Sequence, residues 1–149
     1  MIRDATAADE AAWRRLWAQY LAFYAVTLPP QVTDRTWARV IDPLSPLTAR
    51  LAVQDGVVIG FALHHWHLST WGLAADGYLE DLFVAEAARG FGLGRALIDD
   101  LIGHARAQGW SRLYWHTNEA NTRARALYDS YVRSEGDIRY RIILQACAD

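Results

Sequence analysis

Apolar residues recur every three or four positions through Trp13, Leu16, Trp17, Tyr20 and Tyr24. That spacing lines one face of a helix running to about Ala25. A short strand, Ile2 to Ala5, precedes it, and Thr6 with Asp9 forms a capping pair at its start. Pro29-Pro30 breaks the chain, and Thr33 is placed to cap a second helix carrying Trp37 and Val40 that ends before Asp42-Pro43. The pattern then turns strand-like. Arg50 to Gln54 and Val57 to Trp66 flank Asp55-Gly56, a two-residue hairpin signal. A loop, His67 to Asp76, carries Ser69, Thr70 and Trp71 into a strand from Gly77 to Val84. A helix from about Gly92 to Gln108 is stopped by Gly109. Arg112 to Thr117 is predicted as a strand, and Asn121 or Thr122 caps a helix through Tyr131. Asp137 to Gln145, with Tyr140, Ile142 and Leu144 alternating, is predicted as the last strand.

This order gives a mixed α/β domain: an antiparallel hairpin region first, then a βαβ crossover that makes two adjacent strands parallel. At 149 residues the chain is expected to form one domain, 1–149, with a proper core. The net charge of -2 argues against a general nucleic-acid binder. No apolar run is long enough to span a bilayer, and Met1-Ile2-Arg3-Asp4 does not open a signal peptide. The one cysteine, Cys147, excludes an internal disulfide and suits a reducing cytoplasm.

The chemistry concentrates in Glu80-Asp81-Leu82-Phe83-Val84 and Arg89-Gly90-Phe91-Gly92-Leu93-Gly94. A strand with a carboxylate runs into a glycine-rich turn that opens a helix. Such a turn holds a pyrophosphate on backbone N–H groups at the helix N-terminus, and glycine lets the backbone approach. The dinucleotide fingerprint fails because Arg95 stands where its third glycine belongs, and there is no Gly-Lys-Ser/Thr end for a Walker loop. The arginine-glycine segment resembles the coenzyme A signature of the GNAT superfamily of N-acetyltransferases.

Tyr78 to Val84 and Ala88 to Gly94 resemble the diamine (spermidine/spermine) acetyltransferases. Trp13 to Trp17, Phe23-Tyr24, Asp42-Pro43, Thr70-Trp71 and Asn121-x-x-Ala124-x-Ala126-Leu127-Tyr128 resemble the yeast-type histone and polyamine acetyltransferases. The resemblance covers nearly the whole chain. It implies the GNAT fold, a mixed and mostly antiparallel sheet with a central parallel βαβ crossover. It further implies acetyl-CoA as co-substrate, a primary-amine acceptor (polyamine, amino acid, other small amine or lysine side chain) and a homodimer. The coenzyme contacts it implies are Leu82, Phe83, Val84, Arg89, Gly90, Phe91, Gly92, Leu93, Gly94, Arg95, Asn121 and Ala124.

Acetyl transfer to an amine needs a base for the ammonium, a donor for the carbonyl oxygen and an acid for the departing thiolate. Glu80, alternating with Tyr78, Leu82 and Val84, is the expected base, and the resemblance to the diamine acetyltransferases puts their base-type glutamate here, acting through water; a salt-bridged strand carboxylate is the alternative. Asp81 points to the other face on that alternation and has an interior or capping role as its alternative. The resemblance implies a strand that splays or bulges near Leu82 to Val84 and frees a backbone N–H for the oxygen; the alternative is that those groups are simply paired in the sheet. The resemblance puts Tyr128 beside the coenzyme sulfur. A phenol of pKa about 10 can donate to a thiolate of about 8.5, although Tyr128 equally fits a helix core. Asn121 is both a helix cap and, by resemblance, a contact to the pantetheine arm. Arg95 either reaches a phosphate or stays solvated. Tyr24, Trp71, Glu80 and Asp81 are expected to line the acceptor pocket. His65 and His67 share a strand face without a third ligand in spacing, so no metal is expected. Competing readings are a non-catalytic acyl-CoA-binding regulatory domain and an ordinary nucleotide-binding protein.

Overall fold

Asp55 and Gly56 both take positive φ (51° and 76°) and close the hairpin between β2 (Thr48–Gln54) and β3 (Val57–His67). Two left-handed residues match the twist of the flanking strands, which is why Asp-Gly serves here. The computed structural model describes residues 1–145. β1 (Ile2–Asp4) lies antiparallel to β2, β4 (Asp76–Val84) antiparallel to β3, and β5 (Arg112–Tyr114) parallel to β4. The sheet order is β1-β2-β3-β4-β5. The fold class is therefore the mixed α/β arrangement that the sequence implied, with the parallel pair made by a crossover through a helix.

Helices cover both faces. α1 (Glu10–Phe23) and α2 (Pro30–Ile41) pack Trp13, Leu16, Trp17, Trp37 and Val40 onto Leu51, Phe61, Leu63 and Phe83. Trp13 is wholly buried, with ring centroids 5.3 Å from Trp17 and 5.2 Å from Trp37. On the other face α3 (Leu93–Ala107) and α4 (Thr122–Tyr128) bring Leu97, Ile98, Leu101 and Leu127 against Ala52, Ala62 and Leu79. Burying each large apolar side chain contributes about 1.5–3 kcal/mol. At the start of the chain Asp9 accepts the Thr6 N–H at 2.8 Å and hydroxyl at 2.9 Å, as the capping pair predicts.

Several elements depart from the sequence expectations. α2 begins at Pro30, whose missing N–H costs nothing at a first helical position, so Thr33 is no cap; its Oγ1 accepts the Trp17 indole N–H at 3.1 Å. β5 stops at Tyr114 rather than Thr117, and α4 stops at Tyr128, with hydrogen-bonded turns on to Tyr131 and Val132. The expected strand from Asp137 to Gln145 pairs with no described strand. Its alternation is real, but a strand forms only against an edge, and Ile138, Tyr140, Ile142 and Leu144 stay exposed. Cys147 lies outside the described residues.

One irregularity shapes the site. Opposite Leu63 stands Asp81, yet opposite the next residue, His64, stands Leu79. Glu80 is the extra residue of a β-bulge, and it resets the alternation of β4. Leu79, Leu82 and Val84 pack on the α3 side, while Asp81 and Phe83 face α1.

Candidate active site

β4 and β5 pair only at Asp76↔Arg112, Gly77↔Leu113 and Tyr78↔Tyr114. Arg112 grips the buried Asp76 carboxylate at 2.7 Å and closes this end. Past Tyr78 the two strands part, and the β4 edge from Leu79 to Val84 is left without a β5 partner. The Ala85 N–H donates to Ile59 O at 2.9 Å, so odd-numbered backbone groups here face β3. By alternation Leu82 and Val84 turn theirs into the fork. The Val84 carbonyl indeed accepts Arg89 Nε–H from that side at 2.9 Å. The splay expected at Leu82 to Val84 is present, and the bulge sits two residues earlier.

A single 3₁₀ turn, Glu86–Ala88, carries the chain into the glycine segment. Gly90 (φ 91°) and Gly92 (φ 78°) occupy left-handed backbone that disfavours a side chain, and nothing lies within 4 Å of where a Cβ would stand. Gly94 serves differently: its Cβ would meet Leu127 Cδ2 at 3.3 Å, so it lets α3 lie close to α4. The Ala96 N–H bonds back to Gly92 O at 2.9 Å, so the N–H groups of Leu93, Gly94 and Arg95 before it point out of the helix end. Three free donors and the positive end of a 15-residue helix suit a phosphate.

A cleft of about 330 Å³ runs from this turn along the open β4 edge to α4. Every residue expected at the coenzyme borders it except Phe91, whose ring is 80 % exposed. Arg89 lies 5.3 Å from the ring centroids of both Phe23 and Phe83, which positions its guanidinium at the cleft wall. Arg95 donates to Ser130 Oγ at 2.9 Å and lies over the Tyr131 ring, so it ties α3 to the end of α4. Asn121 caps α4, its Oδ1 accepting the Ala124 N–H at 3.3 Å. Tyr128 reaches the cleft with its ring against Trp115; burial and then nearby Tyr24 push its phenol up to about 12. No hydrogen bond joins its hydroxyl to another described residue.

A second cleft of about 680 Å³ opens between α1, α2 and the sheet. Glu80 and Asp81 both border it, which corrects the expectation that they face apart: the bulge swings both carboxylates to the α1–α2 side. They differ sharply. Glu80 is half exposed, 3.2 Å from His65 Nε2. Burial raises the Asp81 carboxyl to about 6, although the Tyr20 hydroxyl, donating to its Oδ1 at 2.5 Å, holds it back. Tyr20 packs 4.9 Å from Tyr24, which borders the first cleft. Asp81 thus borders the second cleft while its neighbour Leu82 borders the first. Trp71 is a correction: it is 88 % exposed in the loop before β4 and borders neither cleft. Tyr20, which helix periodicity assigns to the core, also holds the Asp81 carboxylate. The adjacent carboxylates in an apolar strand were the signal that could have found its partner. His65 and His67 each bond elsewhere, to Glu80 and to the Tyr114 hydroxyl at 2.7 Å.

The sequence profile of the "Acetyltransferase (GNAT) family" matches residues 10–131. The chain is 38% identical over 135 residues to the D-amino-acid N-acetyltransferase HPA3 of Saccharomyces cerevisiae, covering 89% of this chain and 84% of that protein. It is 32% identical to the aminoglycoside N(6')-acetyltransferase type 1 of Stenotrophomonas maltophilia, over 74% of this chain and 67% of that one. A crystal structure of a probable acetyltransferase superposes with a TM-score of 0.86 at 22% identity, covering 97% of this chain and 98% of that one. A forked sheet with a glycine turn at its mouth is thus the architecture of an acetyltransferase. The chain belongs to the GNAT family and is an N-acetyltransferase, moving an acetyl group to an amine; acetyl-CoA is the acyl donor general to that family.

Gly92→Val puts a β-branched side chain at positive φ in the phosphate path. The acetyl-CoA KM of the folded variant is expected to rise about tenfold or more, read by steady-state kinetics. An unchanged KM would move the cradle elsewhere.

Proposed function

We propose that the chain, as a single domain, acetylates a small primary amine by direct attack on acetyl-CoA. The observation that carries this is that consecutive residues of β4 border the two clefts, Asp81 the α1–α2 cleft and Leu82 the cleft of the glycine turn. The pyrophosphate rests on the Gly90 to Gly94 turn and the pantetheine arm follows the free edge of β4 to Asn121 and Ala124. The acceptor enters from the α1–α2 cleft, with Tyr24 on the wall of the first cleft beside Tyr20. Its nitrogen attacks the thioester carbonyl carbon, the N–C bond forms, and the C–S bond breaks. A fork-facing N–H of Leu82 or Val84 receives the developing oxyanion. Tyr128, protonated at any physiological pH, gives its proton to the leaving sulfur.

The proton of the ammonium leaves through the carboxylate pair. Glu80 was the expected base; the surroundings favour Asp81. A carboxyl near 6 is ionised at neutral pH yet basic enough to accept a proton, whereas Glu80 is open to solvent and suited to drawing the cation in. A base must be deprotonated to act, so kcat/KM is expected to rise with pH through about 6. Tyr20→Phe removes the bond that lowers Asp81 and moves that rise to higher pH. Asp81→Asn erases it and cuts the rate about 10²-fold. If Glu80→Gln does this instead, Glu80 is the base.

Tyr128→Phe removes one oxygen and little packing. Free-thiol release at saturating acetyl-CoA is expected to fall about 10²-fold with little change in acetyl-CoA affinity. Normal turnover with a modest loss of melting temperature would make Tyr128 a core residue only.

The protein is further proposed to be a cytoplasmic homodimer. No helix among the described residues is long and apolar enough to cross a membrane. Support for the dimer comes from the apolar arm after Ser134, with Ile138, Tyr140, Ile142 and Leu144 exposed, and from β5 standing at the sheet edge. Light scattering at micromolar concentration is expected to give twice the chain mass of 16.8 kDa; the monomer mass would refute it.

A further inference from the structure

Arg35 and Arg39 stand four residues apart on α2, side by side, and both border the cleft whose β4 wall carries Glu80 and Asp81. Neither guanidinium forms an ion pair with a described residue. The contrast with Arg14 on α1 is direct: Glu10 and Asp34 hold it, each at 2.8 Å. Asp34 is the neighbour of Arg35, yet its carboxylate is turned to Arg14. Asp42 borders the same end of the cleft, but its Oδ1 accepts the Leu44 backbone N–H at 2.9 Å, and one carboxylate cannot neutralise two guanidiniums.

The cleft is therefore dipolar, negative on β4 and positive on α2. A primary amine suits the first wall. The second wall repels the distal ammonium of a diamine and binds an anion. Guanidinium grips carboxylate through paired charge-assisted hydrogen bonds. Between the walls, Trp17, Leu28 and Leu47 supply apolar surface for a side chain, and about 680 Å³ is ample for one amino acid.

We infer that the acceptor is an amino acid, held by its carboxylate on Arg35 and Arg39 with its amine directed to the Glu80–Asp81 wall. This rests on the acetyltransferase reading and adds the acceptor's second functional group. Arg35 and Arg39 are specificity residues; they touch the substrate away from the reacting atoms.

The test is acetyl-CoA-dependent thiol release with D- and L-amino acids, the matching amino-acid amides, and aliphatic diamines. The free acids are expected to exceed their own amides by about tenfold or more in kcat/KM, since the amide loses a charged partner. The double variant Arg35→Gln, Arg39→Gln keeps good helix formers at exposed positions. It is expected to raise KM for the acid about tenfold with kcat nearly unchanged, and to leave KM for the amide alone. A merely structural role for the arginines would move both substrates together. Amides or diamines turned over as well as the acids, or a preference for acids that survives the double variant, would overturn the inference and leave the acetyltransferase reading standing. No thiol release with any amine would count against both.

Discussion

The parting of β4 from β5 after Tyr78 is the constraint from which the site follows. A strand edge in the middle of a sheet is normally satisfied on both sides, because a buried unpaired N–H or C=O is costly. Here the edge of β4 from Leu79 onward has β3 on one side only. The Asp76–Arg112 pair and the three register pairs hold the closed end of the fork. The open end is spread by α4, whose Leu127 and Tyr128 fill the gap on the α3 side. An edge kept open by packing is a ready partner for an extended ligand with its own amides, as in strand addition to a peptide. The glycine turn then stands at the end of that edge, where a phosphate-bearing ligand would finish.

The bulge at Glu80 does the complementary work on the other face. Without it Asp81 would share the face of Leu79, packed against α3. The extra residue turns Asp81 toward α1 while Leu82 still returns to the α3 core. One inserted residue therefore separates two surfaces along a single strand. Upstream of Leu82 the chain presents carboxylates to the α1–α2 cleft, and from Leu82 onward it borders the cleft of the glycine turn.

The order and type of the elements were legible because their periods are strong: the aromatic stripe of α1, the Asp-Gly hairpin and the glycine turn that opens α3. The lining of the first cleft was legible for the same reason, since most of it sits in Leu82 to Arg95 and Asn121 to Tyr128. What alternation could not show was the bulge, because a β-bulge leaves no mark on a sequence in which Glu80 and Asp81 are both acidic. Strict period two assigned them to opposite faces. The last strand failed for a different reason. Tyr140, Ile142 and Leu144 alternate as a strand does, but pairing is a property of two segments, and only one was in view. Trp71 was carried by resemblance alone, and resemblance does not fix where an exposed loop points.

The aromatic column of α1 joins stability to chemistry. Trp13, Trp17 and Tyr20 stack in sequence and Tyr24 meets Tyr20 edge-on, with centroid spacings of 5.3, 5.1 and 4.9 Å. The column begins in the fully buried core at Trp13 and ends at the cleft of the glycine turn with Tyr24. Its third ring carries the hydroxyl that meets Asp81. Burial, with Asp81 nearby, drives the Tyr20 phenol well above its ordinary value, so it remains a donor at every relevant pH. The core thus fixes the height and angle of Tyr20, and Tyr20 fixes the carboxylate. A loss of packing at Trp13 or Trp17 would be felt as a shift in the basicity of Asp81 before the fold itself gave way, because a hydrogen bond depends on distance and angle more steeply than a stack of rings does.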